Sequence, residues 1–301
     1  MSVQIAEAGQ VRIGISGWRY AGWRNVFYPS GLQQRRELEF ASRRFSSIEI
    51  NGTFYSLQRP EFFRRWADET PEDFVFAVKG GRFITHMRKL LAIDTALANF
   101  FASGVLALGR KLGPVLWQFP PQMKFDPVRF RAFCAMLPRT SEEGARLARG
   151  CDDRILSRSC LEASCNIPLR HAFEIRHESF VCPEFVSLLR EYGIGLVVAD
   201  TVEWPLLMDV TADFVYVRLH GSKQLYASGY EADDVEVWAQ RVVAFARGTR
   251  AEGRYAEPAL AEQKARDVYV YFDNDAKVRA PFDAQALRAR VDELMLDGAA
   301  L

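Results

Sequence analysis

Two pairs of ionisable residues stand two positions apart in apolar surroundings: Glu174 with Arg176, and Arg218 with His220. In an extended strand, residues i and i+2 share a face. Each pair therefore presents two polar groups on one surface at different depths. Arg218 has the planar fork that matches a carboxylate or phosphate. His220, followed by Gly221 where the chain turns away, suits proton transfer near neutral pH. Glu49, Asp200 and Asp273 add carboxylates, and Lys79 adds a cation. Asn51, Gln118 and Asn274 add neutral polar groups that orient a ligand. The leading reading is an enzyme of acid–base or hydrolytic chemistry, in which Glu49 and Glu174 are acid/base candidates and His220 carries the proton. Lys79, Arg176 and Arg218, with Asp200 and Asp273 beside them, hold and polarise a small anionic substrate.

These residues lie at or just beyond the ends of short apolar runs. The runs are Val11–Gly17, Ser47–Asn51, Phe74–Lys79, Pro114–Phe119, His171–His177, Ile194–Asp200, Phe214–His220 and Asp267–Asn274. Helix-length spacers separate most of them, and parallel strands need such crossovers. Eight strand–helix units predict an α/β fold, a closed (β/α)8 TIM-type barrel whose chemistry sits at the carboxyl ends of its strands. Parity sharpens the prediction. Val215, Val217 and Leu219 oppose Tyr216, Arg218 and His220; Val268, Val270 and Phe272 oppose Tyr269, Tyr271 and Asp273; Phe173 and Ile175 oppose Glu174 and Arg176; Ile48 and Ile50 oppose Glu49 and Asn51. Surrounding helices need an apolar surface, so the polar parity points inward and gathers at one mouth.

The expected helices are Leu32–Phe45, Pro60–Glu69, Leu91–Leu112, Pro127–Leu137 behind an Asp126 cap, Pro183–Tyr192, Asp233–Arg247 and Ala284–Leu296. Thr201–Ala212 leaves room for only a turn or two of helix. Residues 1–301 read as one domain with a barrel core at about 11–297 and an extra, less regular segment at about 139–169 packed outside it. That segment holds three of the five cysteines, Cys151, Cys160 and Cys165, without the spacing of a zinc site. The reading is of reduced thiols in a cytoplasmic protein. No apolar run reaches the roughly 18 residues of a membrane span, and the start lacks the pattern of a secretory signal.

With 39 basic and 38 acidic residues, general affinity for nucleic acid is not indicated, although Arg19, Arg24, Arg82, Arg88 and Lys89 supply local positive charge. No nucleotide-binding fingerprint occurs, and no cofactor is expected. Other chemistries compete. Glu49, Glu174, Asp200 and Asp273 are donors suited to Mg²⁺ or Mn²⁺, the basis of a carboxylate-metal phosphoester hydrolase. Gly221, Lys223 and Gly229 after the seventh run, and Asn274, Asp275, Lys277 and Arg279 after the eighth, suit phosphate. Facing carboxylates would suit glycoside hydrolysis, with Trp18, Tyr20, Trp23, Phe54 and Tyr55 near the strand ends as a sugar-stacking platform or as a lid or loop packing, the packing role being preferred for Trp23 and Phe54. A ligand-binding or regulatory barrel without turnover, its polar interior a structural ion-pair network, is the remaining reading.

The chain also resembles the proteins grouped as domain of unknown function 72, or YecE-like. The resemblance rests on Ile13–Trp18 with Phe27-Tyr28-Pro29, Glu49–Tyr55, Phe76–Lys79, Leu116–Pro121, His171–His177, Ala199-Asp200, Tyr216–Gly221 and Tyr271–Asp275. These cover nearly the whole chain in order, the segment from Arg139 to Leu169 matching least. The resemblance implies a TIM-type barrel and carries no activity, substrate, cofactor or catalytic assignment with it.

Overall fold

A computed structural model describes residues 8–221, 225, 228–258 and 263–297. Eight parallel strands close into a barrel in sequence order. They are β1 (Val11–Ser16), β2 (Ser47–Ile50), β3 (Val75–Lys79), β4 (Leu112–Gln118), β5 (His171–Glu174), β6 (Gly195–Asp200), β7 (Phe214–Leu219) and β8 (Asp267–Phe272). β1 closes the ring against β8, with Ile13 opposite Val270 and Ile15 opposite Phe272.

The parity rule holds because it has two separate hydrophobic clusters to serve. Ile15, Ile48, Val78, Phe173, Val217 and Val270 belong to a large cluster between strands and helices. Ala77, Leu116, Ala172, Val197, Ala199, Tyr216, Tyr269 and Tyr271 form a second cluster inside the barrel. The helical layer is aromatic where β4 and β5 meet their helices. Trp117, Phe119, Phe130, Phe133, Phe173, Phe180 and Phe185 interlock there, most ring pairs meeting edge to face or at a tilt. Burying each such ring contributes about 1.5–3 kcal/mol.

Helices Pro60–Asp68, Pro127–Met136, Pro183–Tyr192, Ala232–Ala246 and Ala280–Asp297 match their expected positions within a few residues. Asp126 caps the second through Val128 and Arg129 N–H, both at 3.1 Å. The expected helix Leu91–Leu112 is instead two pieces, Asp94–Ala102 and a 3₁₀ stretch Val105–Lys111. Gly104 separates them at φ +112°, and a Cβ there would lie 2.5 Å from Pro60 Cα. The expected helix Leu32–Phe45 shortens to a 3₁₀ turn Gln34–Arg36 running into Glu37–Ser42. No helix fills the β6–β7 connection.

The extra segment leaves the amino-terminal end of the barrel, where His171 Nε2 meets Pro138 O at 2.8 Å. Its helices Ser141–Ala148 and Asp153–Leu156 run beside helix Asp94–Ala102. Asp152 N donates to Asn99 Oδ1 at 3.0 Å and Cys160 N donates to Ala102 O at 2.8 Å. All five cysteines are free thiols.

Candidate active site at the barrel mouth

Strand β7 carries Arg218 to the centre of the barrel, where its side chain is wholly buried. Its Nε and Nη2 donate to the two oxygens of Glu49 at 3.1 and 2.9 Å. Nη1 donates to Glu174 Oε2 at 2.5 Å, and Nη2 donates to Asp273 Oδ2 at 2.7 Å. One guanidinium thus bridges carboxylates from β2 and β5 and the one following β8. The fork geometry makes these bonds strong, and their number offsets the cost of burying charge. Glu49 is closed off further. Ser16 Oγ donates to its Oε1 at 3.0 Å and Tyr216 OH to its Oε2 at 2.6 Å, so four donors occupy its two oxygens. Arg218 and Glu49 therefore form the floor of the mouth rather than its working surface.

Three charged groups rise from that floor to the opening. Arg176 reaches back to Glu174 Oε1 through Nε at 2.9 Å and Nη2 at 2.8 Å, and its guanidinium lies 4.0 Å from the Trp204 ring centroid. Asp273 is 15% exposed at its side chain. Lys79, ending β3, is 8% exposed. Among the described residues no hydrogen bond or ion pair engages the Lys79 ammonium, which sits 4.6 Å from the Phe54 ring centroid. Gln118, ending β4, is also buried and faces inward. His220 lies just behind. Its Nδ1 is 3.2 Å from Asp273 Oδ2 and its Nε2 3.8 Å from Glu174 Oε2.

Electrostatics divides these groups by role. Burial opposes the charge on Glu174, but Arg218 and Arg176 outweigh it and hold the carboxyl well below the ordinary range. Asp273 is likewise lowered against its burial, by Arg218 and then His220. Both stay ionised and cannot supply a proton at neutral pH. Burial and then neighbouring Arg218 bring the Lys79 ammonium down to about 8. Counting Glu49, Glu174 and Asp273 against Arg176 and Arg218 leaves one negative charge, which Lys79 balances.

Two expected ligands of the mouth face elsewhere. Asp200 follows Ala199, which points inward, so its own side chain points out; Oδ2 accepts from Trp238 Nε1 at 3.0 Å. Asn274 follows Asp273 in the same way, and its Nδ2 donates to Asp283 Oδ2 at 2.8 Å and Ser228 O at 3.0 Å. Both tie strand ends to the helical layer. Asn51 keeps the inward parity of Glu49 but lines a side cleft of about 300 Å³ with Trp18, Arg19, Tyr20 and Gln58. Trp18 packs edge to face on Trp66 at 5.4 Å. Tyr55 is exposed at the rim, with Arg82 5.7 Å from its ring centroid. The aromatics expected to form one platform are thus dispersed. Lys223 lies outside the described residues.

Three contributors to the mouth lay outside the expected set. Tyr216 was visible as an inward residue but not as a partner of Glu49. Trp204, in the helix-free β6–β7 loop, stacks on Arg176 and meets the His220 ring at 5.8 Å. His86 belongs to a single π-helical turn, Phe83–Met87, and packs edge to face on Phe54 at 5.0 Å. Burial, then Arg176 and Lys79, lower His86 to about 4, so it is neutral at physiological pH. No sequence periodicity marks either loop.

Among the described residues no three His, Cys, Asp or Glu side chains converge as a metal-ligand set. Glu49, Glu174 and Asp273 converge on a guanidinium, which stands where a bridging cation would. Among the same residues no helix is long and apolar enough to cross a membrane.

A family model described as "Protein of unknown function DUF72" matches residues 12–299. Over 131 residues the chain is 31% identical to UPF0759 protein YunF of Bacillus subtilis, covering 41% of this chain and 45% of YunF. Over 173 residues it is 27% identical to UPF0759 protein YecE of Escherichia coli K12, covering 51% and 59%. The chain thus spans about half the length of these curated relatives. A DUF72 family protein from Thermotoga maritima has the same fold, with TM-score 0.71 at 22% identity over 94% of this chain and 99% of that one. One from Enterococcus faecalis V583 gives TM-score 0.65 at 16% identity over 95% and 99%. With a family model matched nearly end to end and the same barrel found in solved members, this chain belongs to the DUF72 family of proteins of unknown function.

Proposed function

We propose that the mouth is the active site of an enzyme doing acid–base chemistry on a small anionic molecule, phosphorylated or carboxylated. The observation that carries this reading is Lys79, a cation nine-tenths buried at the edge of the opening with no ion pair among the described residues. An incoming anion completes its coordination, and Arg176 adds a second positive charge beside it. His220 is the proton carrier. Glu174 and Asp273, both ionised, flank its ring and stabilise the imidazolium that forms when it takes a proton. Arg218 fixes all three carboxylates and is a positioning residue.

Saturation of Arg218 favours a second reading, a binding barrel without turnover: four of its five N–H groups bind carboxylates and the remaining one, on Nη1, faces His220 Nε2 at 3.5 Å. One experiment separates the two. Phosphate and a panel of small phosphorylated and carboxylated compounds are screened by thermal shift, and binders are then followed by NMR in D₂O for loss of carbon-bound protons. The expected result is a saturable rise in Tm that Lys79→Met abolishes. Exchange of a substrate proton should be lost in His220→Gln while the Tm response survives. Binding without exchange of any panel compound supports the second reading, and an undiminished response in Lys79→Met removes the site.

A further inference from the structure

Lys79 ends β3 and Gln118 ends the adjacent β4, both on the inward parity and towards the same opening. Pairing of β3 with β4 places Lys79 opposite Leu116, so Gln118, two residues further along β4, stands one step nearer the mouth. Both side chains are more than nine-tenths buried, at 8% and 6% exposure, and neither has a hydrogen bond or ion pair among the described residues. A lone anion would explain the lysine but not the amide. Three features set this lysine apart from one that merely balances charge. It is removed from water, a second cation (Arg218) stands near it, and no carboxylate lies within ion-pair distance to keep its proton in place. Desolvation and a neighbouring cation are the two means by which a lysine amine becomes a nucleophile.

Building on the proposed anion-binding role of this mouth, we infer that Lys79 forms a Schiff base with a small carbonyl compound bearing an anionic group. The ammonium first gives up one proton to water. The Nζ lone pair then adds to the carbonyl carbon, a second proton passes from that nitrogen to the carbonyl oxygen, and the resulting carbinolamine hydroxyl is a group the inward Gln118 amide can hydrogen-bond. Return of one proton to that hydroxyl lets it leave as water, and a C=N bond forms with the positive charge kept on nitrogen. The sum is ammonium plus carbonyl giving iminium plus water, with no oxidant or reductant. The iminium draws electrons from the adjacent carbon, which sets up the acid–base chemistry assigned above to His220. Glu49, Glu174, Asp273, Arg218 and His86 are the titratable and charged groups that bear on Lys79.

The test uses the full chain with pyruvate, glyoxylate or glycolaldehyde phosphate, each trapped with borohydride and mapped by peptide mass. The chain has seven lysines, which makes selectivity itself a readout. The expected result is a mass gain, equal to the carbonyl compound less one oxygen atom, concentrated at Lys79. It should rise as pH passes about 8, fall when phosphate competes, and vanish in Lys79→Arg. A purely charge-balancing lysine would show no trapping in either protein, so the loss of label in Lys79→Arg is read against the wild-type protein's own phosphate response. Labelling spread over the lysines according to exposure overturns the inference. So does an unlabelled Lys79 in protein that still responds to phosphate, which leaves the anion site standing. Loss of both responses in the wild-type protein removes the anion site and the Schiff base together.

Discussion

Arg218 concentrates the electrostatic risk of the mouth in one side chain. Removing it leaves Glu49, Glu174 and Asp273 buried around an empty centre. Arg218→Met should therefore destabilise the protein by about 3–5 kcal/mol at pH 7, the cost of breaking a buried pair from one side. Urea denaturation across pH gives the diagnostic. In the wild type, Glu174 and Asp273 have folded pKa values below their unfolded ones. Their contribution is full above the unfolded carboxylate range near pH 4 and is lost as pH falls towards the folded values. In Arg218→Met, Asp273 loses the cation that lowers it most and Glu174 keeps only Arg176, so both take up protons more readily and the difference between the two proteins should shrink as pH drops towards 4. A gap independent of pH would mean that Arg218 contributes packing rather than charge. Strand parity alone was enough to aim Glu49, Glu174, Arg218, His220 and Asp273 inward. The same parity aims Asp200, next to inward Ala199, and Asn274, which shares the outward parity of Phe272, away from the mouth; a polar type at a strand end does not by itself place a side chain in it. Sequence also shows residue types but not saturation, so Arg218 read as a substrate clamp although all its donors are occupied within the fold.

Elements position Lys79 through a close approach behind it. Gly80 N donates to Leu116 O at 2.8 Å, and a Cβ at Gly80 would lie 2.3 Å from Trp117 Cε3. The indole is held from its other side by Phe100 and Phe133 and donates Nε1–H to His171 Nδ1 at 3.1 Å. It has little room to yield. Gly80→Ala should cost about 1–3 kcal/mol, the range for forcing extra carbon into a packed core. Because β3 must shift, the variant should also weaken the phosphate response in thermal shift. A destabilised variant with an unchanged response would show that Lys79 is placed by β3 itself and not by this contact. The strands were legible because each serves two layers at once and writes its alternation into the chain. Helix breaks were less so. Leu91–Leu112 has the composition of one long helix, and only the approach of Pro60 shows why Gly104 must interrupt it. The π-turn that delivers His86 is one extra residue in a helical ladder and leaves no compositional trace.

Across the whole molecule, the extra segment connects the far end of the barrel to the rim of the mouth. It leaves near Pro138, climbs beside helix Asp94–Ala102, and ends its ascent at Asp153–Leu156. There Ile155, 3% exposed, lines a pocket of about 360 Å³ together with Leu57, Gly81, Phe83 and Ile84. Gly81 is two residues from Lys79, and Phe83 opens the turn that carries His86. The segment therefore faces, across this pocket, the loop that forms one wall of the proposed site. An appendage with no such role would lose stability on truncation of Ile155 without altering the mouth. Ile155→Ala should cost about 2–3 kcal/mol, low in the range for buried aliphatic truncation because a pocket already adjoins the side chain. It should also reduce the affinity for phosphate and the borohydride labelling of Lys79, since the pocket that borders the β3 loop is enlarged. Chemical denaturation measures the first effect, and phosphate titration at a temperature where the variant remains folded measures the second. Full phosphate affinity in a destabilised Ile155→Ala protein would uncouple the segment from the site and leave it a stabilising buttress of helix Asp94–Ala102 alone.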